Sequence, residues 1–187
     1  MDNSNDELKK SLDARASNLH QRIIQSLGAK PERIKGLREQ EIAQIEQTYK
    51  LPLPYSYKVF LRHFGYSIAG IANDVEFLYP ALLSLTQYVR DIDREIQEER
   101  DFSPEELLPP NAFVFAMRQK MQLWYFIAEE RVEDPAVFYD SGDGNGVKMH
   151  ESIFDLWEKE IALEEELLAM RREREKRREE KEGKEGG

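Results

Sequence analysis

Hydrophobic residues recur at helical spacing in the first third of the chain. From Asp6 to Leu27 they follow one another at three- and four-residue steps, which predicts one amphipathic helix. Residues 37–49 repeat this spacing and predict a second helix. Residues 54–64 predict a third, whose apolar face contains Tyr57, Phe60, Leu61 and Phe64. Burying four side chains of this size predicts that the third helix belongs to the core.

The middle of the chain is less regular. Residues 67–80 predict a short extended segment with a turn at 72–74. Residues 81–100 return to helical spacing and predict a long helix. Ser103 and Glu106 then have the spacing of a capping box, which predicts one further helical turn.

The pattern changes to the strand type after the prolines at 109–110. Residues 111–130 contain two runs rich in aromatic and β-branched side chains around a short polar segment, which predicts a hairpin. Residues 134–140 predict a third strand, and helical spacing returns at Ser152. Strands joined by hairpins predict an α+β fold, with an antiparallel sheet flanked by helices.

Polar and charged residues divide the chain into three parts. After Met170 no large apolar residue occurs, so residues 161–187 are predicted to form a charged helical extension. Within it, Arg171 to about Lys181 is expected to be a solvated, fraying helix, followed by a disordered end. Residues 1–36 are predicted to be an N-terminal helical segment, and residues 37–160 the α+β domain.

Charge and cysteine content narrow the possible functions. The 187 residues carry a net charge of −10, with an isoelectric point near 5.0. An acidic chain repels nucleic acid but attracts a basic protein. The absence of cysteine excludes disulfides and thiol catalysis, and it is typical of a reducing compartment such as the cytoplasm. The first residues do not have the pattern of a signal peptide, and no apolar run is long enough to suggest a membrane span.

The candidates for catalysis are weak. His20, His63 and His150 lie on separate predicted elements, and their spacing gives no reason to bring two of them together. Neither a nucleophile elbow nor a zinc-binding H-E-x-x-H motif is present. Paired carboxylates are common, but 37 acidic residues produce such pairs by chance. We therefore expect no enzyme activity, cofactor or metal.

A run of Asp, Asn and Gly at residues 140–146 suggests a calcium loop, a phosphate-binding loop or a tight turn. Two calcium-loop registers fail, because Gly142 and Gly144, or Val147, would occupy ligand positions. The phosphate-loop motif requires a Gly-Lys-Ser/Thr step that the run lacks. The run is therefore predicted to be a turn between the last strand and the final helix.

Trp124, Tyr125 and Phe126 are consecutive in a predicted strand and therefore alternate between the two faces of the sheet. Tyr125 points to one face, and the other two rings point to the opposite face. If helices cover both faces, these rings are core residues. If one face is bare, its rings form a recognition surface. The pattern favours the core interpretation.

The segment 42–65 resembles the opening signature of the SUKH superfamily, which includes fungal cell-wall-assembly regulators and many bacterial immunity proteins. The matching positions are Glu46, Leu53, Pro54, Tyr57, Lys58, Phe60, Leu61 and Gly65. The later strands and the start of the last helix also fit, so the resemblance spans about Leu37 to Glu160. It differs at Phe64 and Tyr66, where the family often has Asn and a second Gly.

The resemblance implies a SUKH-like fold and a binding protein without catalysis. Many relatives neutralise a toxin, often a nuclease, inside the cell that makes it. We therefore predict an immunity protein for a basic toxin, with a regulatory or scaffold module of the cell-wall-regulator type as the alternative. Binding of nucleic acid or of a membrane is not expected, and the oligomeric state stays open. The acidic residues expected to face a protein partner are Asp74, Glu76, Asp140 and Asp143.

Overall fold

The structure is a computed structural model that describes residues 3–99, 107–142 and 144–185. In this part of the chain the helices are α1 (Asn3–Gln25), α2 (Glu39–Tyr49), α3 (Tyr55–Phe64), α4 (Leu85–Glu99) and α5 (Ile153–Glu185). The strands are β1 (Ile34–Lys35), β2 (Ser67–Ile68), β3 (Val75–Glu76), β4 (Ala112–Arg118), β5 (Gln122–Ile127), β6 (Val137–Asp140) and β7 (Val147–His150). Single 3-10 turns precede β1 and α4.

The main sheet has five antiparallel strands in the order β3-β4-β5-β6-β7, and β1 pairs with β2 separately. Each neighbour from β4 onwards is also the next strand along the chain, so short turns are sufficient to connect them. The α+β prediction, with an antiparallel sheet and flanking helices, is confirmed.

An aromatic core joins α3 to one face of the sheet. The Tyr57 ring lies 5.5 Å from that of Phe113 and 5.3 Å from that of Phe126, measured between centroids. Both phenylalanines are at most 1% exposed. The side chains of α3 named in the sequence prediction are buried, because their spacing places them on the face toward the sheet.

The helix α1 packs against α3 and α5 through its predicted stripe. Leu12, Ala16, Leu19 and Ile23 are each at most 1% exposed. Arg15 donates to Glu158 at 2.8 Å and to Asp155 at 2.6 Å, and Arg22 donates to Glu165 at 2.7 Å. Because the partner numbers rise together, α1 and α5 run parallel. The N-terminal segment therefore shares its core with the rest of the fold.

The residues that carry the family resemblance hold the α2–α3 connection in place. The Glu46 carboxylate accepts a hydrogen bond from the Leu53 backbone N–H at 2.9 Å and pairs with Lys58 at 2.8 Å. Leu53 is buried, so its N–H requires a partner inside the protein. Glu46 thus fixes the path of the chain into α3, which is a structural role.

The prediction for residues 140–151 was partly wrong. The glycine run is a turn, but it joins two strands, because β7 precedes α5. Asp140 accepts a hydrogen bond from the Gly142 N–H at 2.7 Å, and Gly142 adopts a φ of +93°. Gly146 lies against the Tyr125 ring, so that a Cβ there would be 1.9 Å from the hydroxyl oxygen. This contact requires glycine at position 146.

Three further predictions differ in detail. The turn at 72–74 is present, with the Val75 N–H donating to the Ala72 carbonyl at 3.0 Å, but the flanking strands belong to different sheets. The predicted helix 81–100 starts as a 3-10 turn and becomes α-helical only at Leu85. The predicted capping box at Ser103 and Glu106 lies outside the described residues.

The last helix, α5, is longer than its packing requires. It continues to Glu185, past Lys181, where the sequence predicts that a disordered end begins. Residues 186–187 lie outside the described part of the chain. The side chains of residues 169–180 are all exposed. The helix therefore projects from the fold as a charged arm.

Candidate protein-interaction surface

One face of the main sheet is only partly covered. Cross-strand neighbours in an antiparallel sheet share a face, as do residues two apart along a strand. By the pairing register, one row of neighbours is Ala116, Trp124, Tyr139 and Val147, and the adjacent row is Val75, Arg118 and Gln122. The other end of the same face lies beneath α3, where Phe126 is 1% exposed. We call Arg118, Gln122, Trp124, Tyr139 and Val147 the open sheet face.

Side chains on the open sheet face are half-buried or exposed. Val147 is 53% exposed, while Trp124 and Tyr139 are half-buried. The Trp124 and Tyr139 rings lie 5.1 Å apart between centroids. Such rings combine a large apolar area with a polar atom at one end, which suits them to contact with another protein.

Arg118 links these rings to a carboxylate at the rim. Its guanidinium lies 5.6 Å from the centre of the Trp124 ring, and its Nε lies 3.0 Å from an oxygen of Asp74. Because the Asp74 side chain is 66% exposed, its charge is accessible at this rim.

A small cavity of about 30 Å³ lies where the open sheet face meets α5. Its lining includes Trp124, Leu156, Trp157 and Glu160. The Trp157 indole N–H is buried and has no hydrogen-bond partner among the described residues. A volume of this size holds about one water molecule and is too small for a metabolite.

The structure decides between the two interpretations of the consecutive aromatic residues. Phe126 and Tyr125 are 1% and 6% exposed, so the core interpretation holds for them. Trp124 shares a face with Phe126 but lies beyond the helices that cover it. Trp124 is only partly buried against the core, so the core interpretation holds for it in part and a role in recognition stays a prediction.

The opposite face carries two of the predicted acidic residues. Glu76, Met117, Leu123 and Asp140 form one row across it by register. The two buried apolar residues lie between the two acids, so Glu76 and Asp140 are about 14 Å apart at the strand spacing of 4.7–4.9 Å. Asp74 lies at the rim of the other face. The acidic residues predicted to bind a partner therefore do not form one patch, and Asp143 lies outside the described residues.

A groove of about 220 Å³ follows this opposite face between α4 and two hairpin turns. Its lining includes Ile92, Asp93, Ile96, Leu123 and Asp140. The Asp93 carboxylate accepts a hydrogen bond from the Leu108 N–H at 3.1 Å. Burial raises the pKa of Asp93, and the neighbouring charge of Asp140 adds to the rise.

Two of the histidines lie together, which their spacing did not predict. The His20 and His63 rings are 5.9 Å apart between centroids, since α1 and α3 pack side by side. Burial, and then the neighbouring His20, lowers the pKa of His63. Within residues 3–99, 107–142 and 144–185, no cluster of three or more acidic, histidine or cysteine side chains could hold a metal ion.

Sequence reasoning missed part of the open sheet face. It did not single out Tyr139, and it placed Val147 in a turn. The alternation of apolar and polar residues at 147–150 is a strand signal, but it spans only four residues before α5 begins. In the described part of the chain, no helix combines the length and the apolar character that crossing a membrane requires.

Comparison with known proteins agrees with this fold. The model of the SMI1 / KNR4 family (SUKH-1) matches residues 36–159, which is most of the region expected from the resemblance. No curated protein matches the chain. The matched region includes α2, α3, the whole five-stranded sheet and the start of α5. The chain therefore belongs to the SMI1 / KNR4 family (SUKH-1).

Proposed function

We propose that this chain is a non-catalytic immunity protein that binds and neutralises one basic protein toxin, with a nuclease as the best-fitting class. Binding takes place inside the cell that makes both proteins. The open sheet face is the contact surface in this proposal.

The observation that supports the proposal most is the half-covered state of Trp124 and Tyr139. Tryptophan and tyrosine are enriched among the residues that contribute most to binding energy at protein interfaces. Phe126, on the same face of the sheet, is by contrast 1% exposed. Exposed Val147 beside them extends the apolar area across three neighbouring strands.

The charge of the body suits a basic partner. Residues 171–187 contain eight basic and six acidic side chains, for a net charge of +2, so residues 1–170 carry −12. At the rim of the open sheet face, Asp74 and Glu160 supply carboxylates beside the apolar area. Complementary charge speeds association and selects among partners, and its effect weakens as salt rises.

The test is co-expression with each toxin-like protein that a neighbouring gene encodes. The proposal predicts that growth is restored and that a complex forms whose affinity falls as salt is raised. Normal toxicity in the presence of a folded, abundant chain would contradict the proposal.

The projecting part of α5 favours a second function, a regulatory or scaffold module in which the arm is the docking element. Removing the residues after Met170 separates the two functions, because the described side chains of this part, those of residues 171–180, are all exposed on the arm. Loss of all partner binding on removal favours the scaffold. Unchanged binding favours the open sheet face.

A further inference from the structure

An apolar stripe runs along a side of α5 that the rest of the fold covers only in part. Leu163 and Met170 are 49% and 47% exposed, and Leu167 between them is half-buried. The paired helix α1 ends at Gln25, where Arg22 reaches Glu165. Because α1 and α5 run parallel, Gln25 lies about one turn past the Arg22–Glu165 pair, so only Met170 lies beyond the end of α1. Leu163 and Leu167 lie alongside α1 but on another side of α5, and the stripe is not part of the core.

The stripe has the spacing of a helix–helix seam. Alternating steps of four and three residues place on one side of α5 the residues Leu156, Glu160, Leu163, Leu167, Met170 and Arg174. Leu156 and Glu160 line the cavity beside the open sheet face, which fixes the direction in which this side points. The side of α5 that pairs with α1 carries Asp155, Glu158 and Glu165 instead.

Charge is separated along α5. Residues 155–166 contain six acidic side chains and one basic side chain, whereas residues 171–178 contain six basic and two acidic ones. By helical spacing, the acidic residues that flank the seam include Glu160 and Glu164, and the basic ones include Arg171 and Arg174. The apolar centre of the seam thus separates an acidic end from a basic end.

We propose that a second copy of this chain binds here, with the two α5 helices antiparallel and the Leu163–Met170 stripe between them. In this orientation the arginine end of each helix lies against the glutamate end of the other. A parallel pair would bring arginines against arginines and glutamates against glutamates, and like charges across a seam oppose association. The dimer does not depend on the proposed toxin binding, and either can fail alone.

The partner's arm would also reach the neighbourhood of the open sheet face. Glu160 lines the cavity next to Trp124, so a helix that pairs its arginines with Glu160 runs along that rim. Arginine side chains favour the faces of aromatic rings as well as carboxylates. The second copy therefore covers part of the surface proposed to bind a protein partner.

Sedimentation velocity of the full chain over a wide concentration range tests the dimer. The wild type is expected to dimerise, and raised salt should weaken the dimer. Leu167→Lys should raise the dimer dissociation constant at least tenfold. Met121→Lys is the matched control, since Met121 is 62% exposed on the β4–β5 turn, and it should dimerise as the wild type does. A chain that stays monomeric throughout, or a Leu167→Lys dimer as tight as the wild type, overturns the proposal.

Cross-linking tests the orientation. Because the chain contains no cysteine, a single introduced thiol gives an unambiguous product. Glu160→Cys and Arg174→Cys chains should form a disulfide with each other when mixed, and much less with themselves. Efficient cross-linking of each variant alone would show a parallel pair and overturn the antiparallel arrangement.

Discussion

The hydroxyl group of Tyr57 is expected to destabilise the folded protein. The residue is 1% exposed, its ring lies among core aromatics, and its hydroxyl oxygen has no hydrogen-bond partner among the described residues. Burial also raises the pKa of this hydroxyl well above its usual range. Burying a hydroxyl without a partner costs about 1–3 kcal/mol in protein mutational data. Tyr57→Phe should therefore increase the free energy of unfolding by about 1–2 kcal/mol.

Tyr49 provides the matched control. Its hydroxyl donates to the Leu82 carbonyl at 2.9 Å, and its ring also touches Phe113. Tyr49→Phe removes a hydrogen bond that contributes about 0.5–1.5 kcal/mol, so it should destabilise the fold. The two substitutions delete the same atom with opposite expected signs.

Urea unfolding followed by circular dichroism measures both variants. An unchanged slope with a shifted midpoint indicates a change in stability alone. The midpoint should rise for Tyr57→Phe and fall for Tyr49→Phe. A fall for Tyr57→Phe of the same size as for Tyr49→Phe would refute the reasoning, since it would mean that the Tyr57 hydroxyl is satisfied.

Three other substitutions follow from the structure. Burial raises the pKa of Asp134 to about 6, above the usual 3.8, so the charged carboxylate destabilises the folded protein. Asp134→Asn should therefore stabilise the fold by about 1–2 kcal/mol at pH 7.5, after allowance for solvent screening. The gain should vanish as pH falls from 6 toward 4, where the folded protein binds the proton. A constant gain across that range in pH-dependent unfolding would contradict this. Gly146→Ala should lower the free energy of unfolding by about 1–3 kcal/mol, because the added methyl group clashes with Tyr125. Tyr125→Phe should restore part of this loss in a double-mutant cycle. Strictly additive effects of the two substitutions would be evidence against the clash. Glu46→Ala should cost about 1–3 kcal/mol in thermal or urea unfolding, because it leaves the buried Leu53 N–H without its acceptor, and a neutral result would show that this N–H finds another partner.

Periodic segments made much of the fold predictable. The stripe on α1 and the four apolar residues of α3 were identified correctly, because a helix that buries one face must repeat apolar residues at helical steps. The hairpin β4–β5 was equally clear, since its strands are long and rich in aromatic residues. Short elements were harder. A strand of four residues such as β7 and strands of two residues such as β3 carry too few positions for a period to be evident.

The candidate surface was harder to predict than the fold. Its position depends on where α5 crosses the sheet, and this follows from contacts between distant segments. Trp157 stacks on Phe60 at 4.9 Å and contacts Phe77 at 4.7 Å, which fixes that crossing. No pattern near Trp124 indicates that the helix layer ends beside it. The acidic residues chosen from sequence lie on two faces, because strand register decides the side on which Glu76 and Asp140 lie, whereas Asp74 precedes β3 at the rim of the other face.

The most direct test of the open sheet face is the affinity of the toxin identified by co-expression for three forms of the full chain, measured by calorimetry. The double variant Trp124→Ala and Tyr139→Ala removes the two rings of this face. Tyr66→Ala removes an exposed ring, 41% accessible, that lies outside this face, beside α2. Circular dichroism first establishes that both variants are folded. We expect the double variant to lose affinity by about 30-fold or more, as for residues that contribute 2 kcal/mol or more to binding. We expect the affinity of Tyr66→Ala to be unchanged. Equal affinity of all three forms would contradict it.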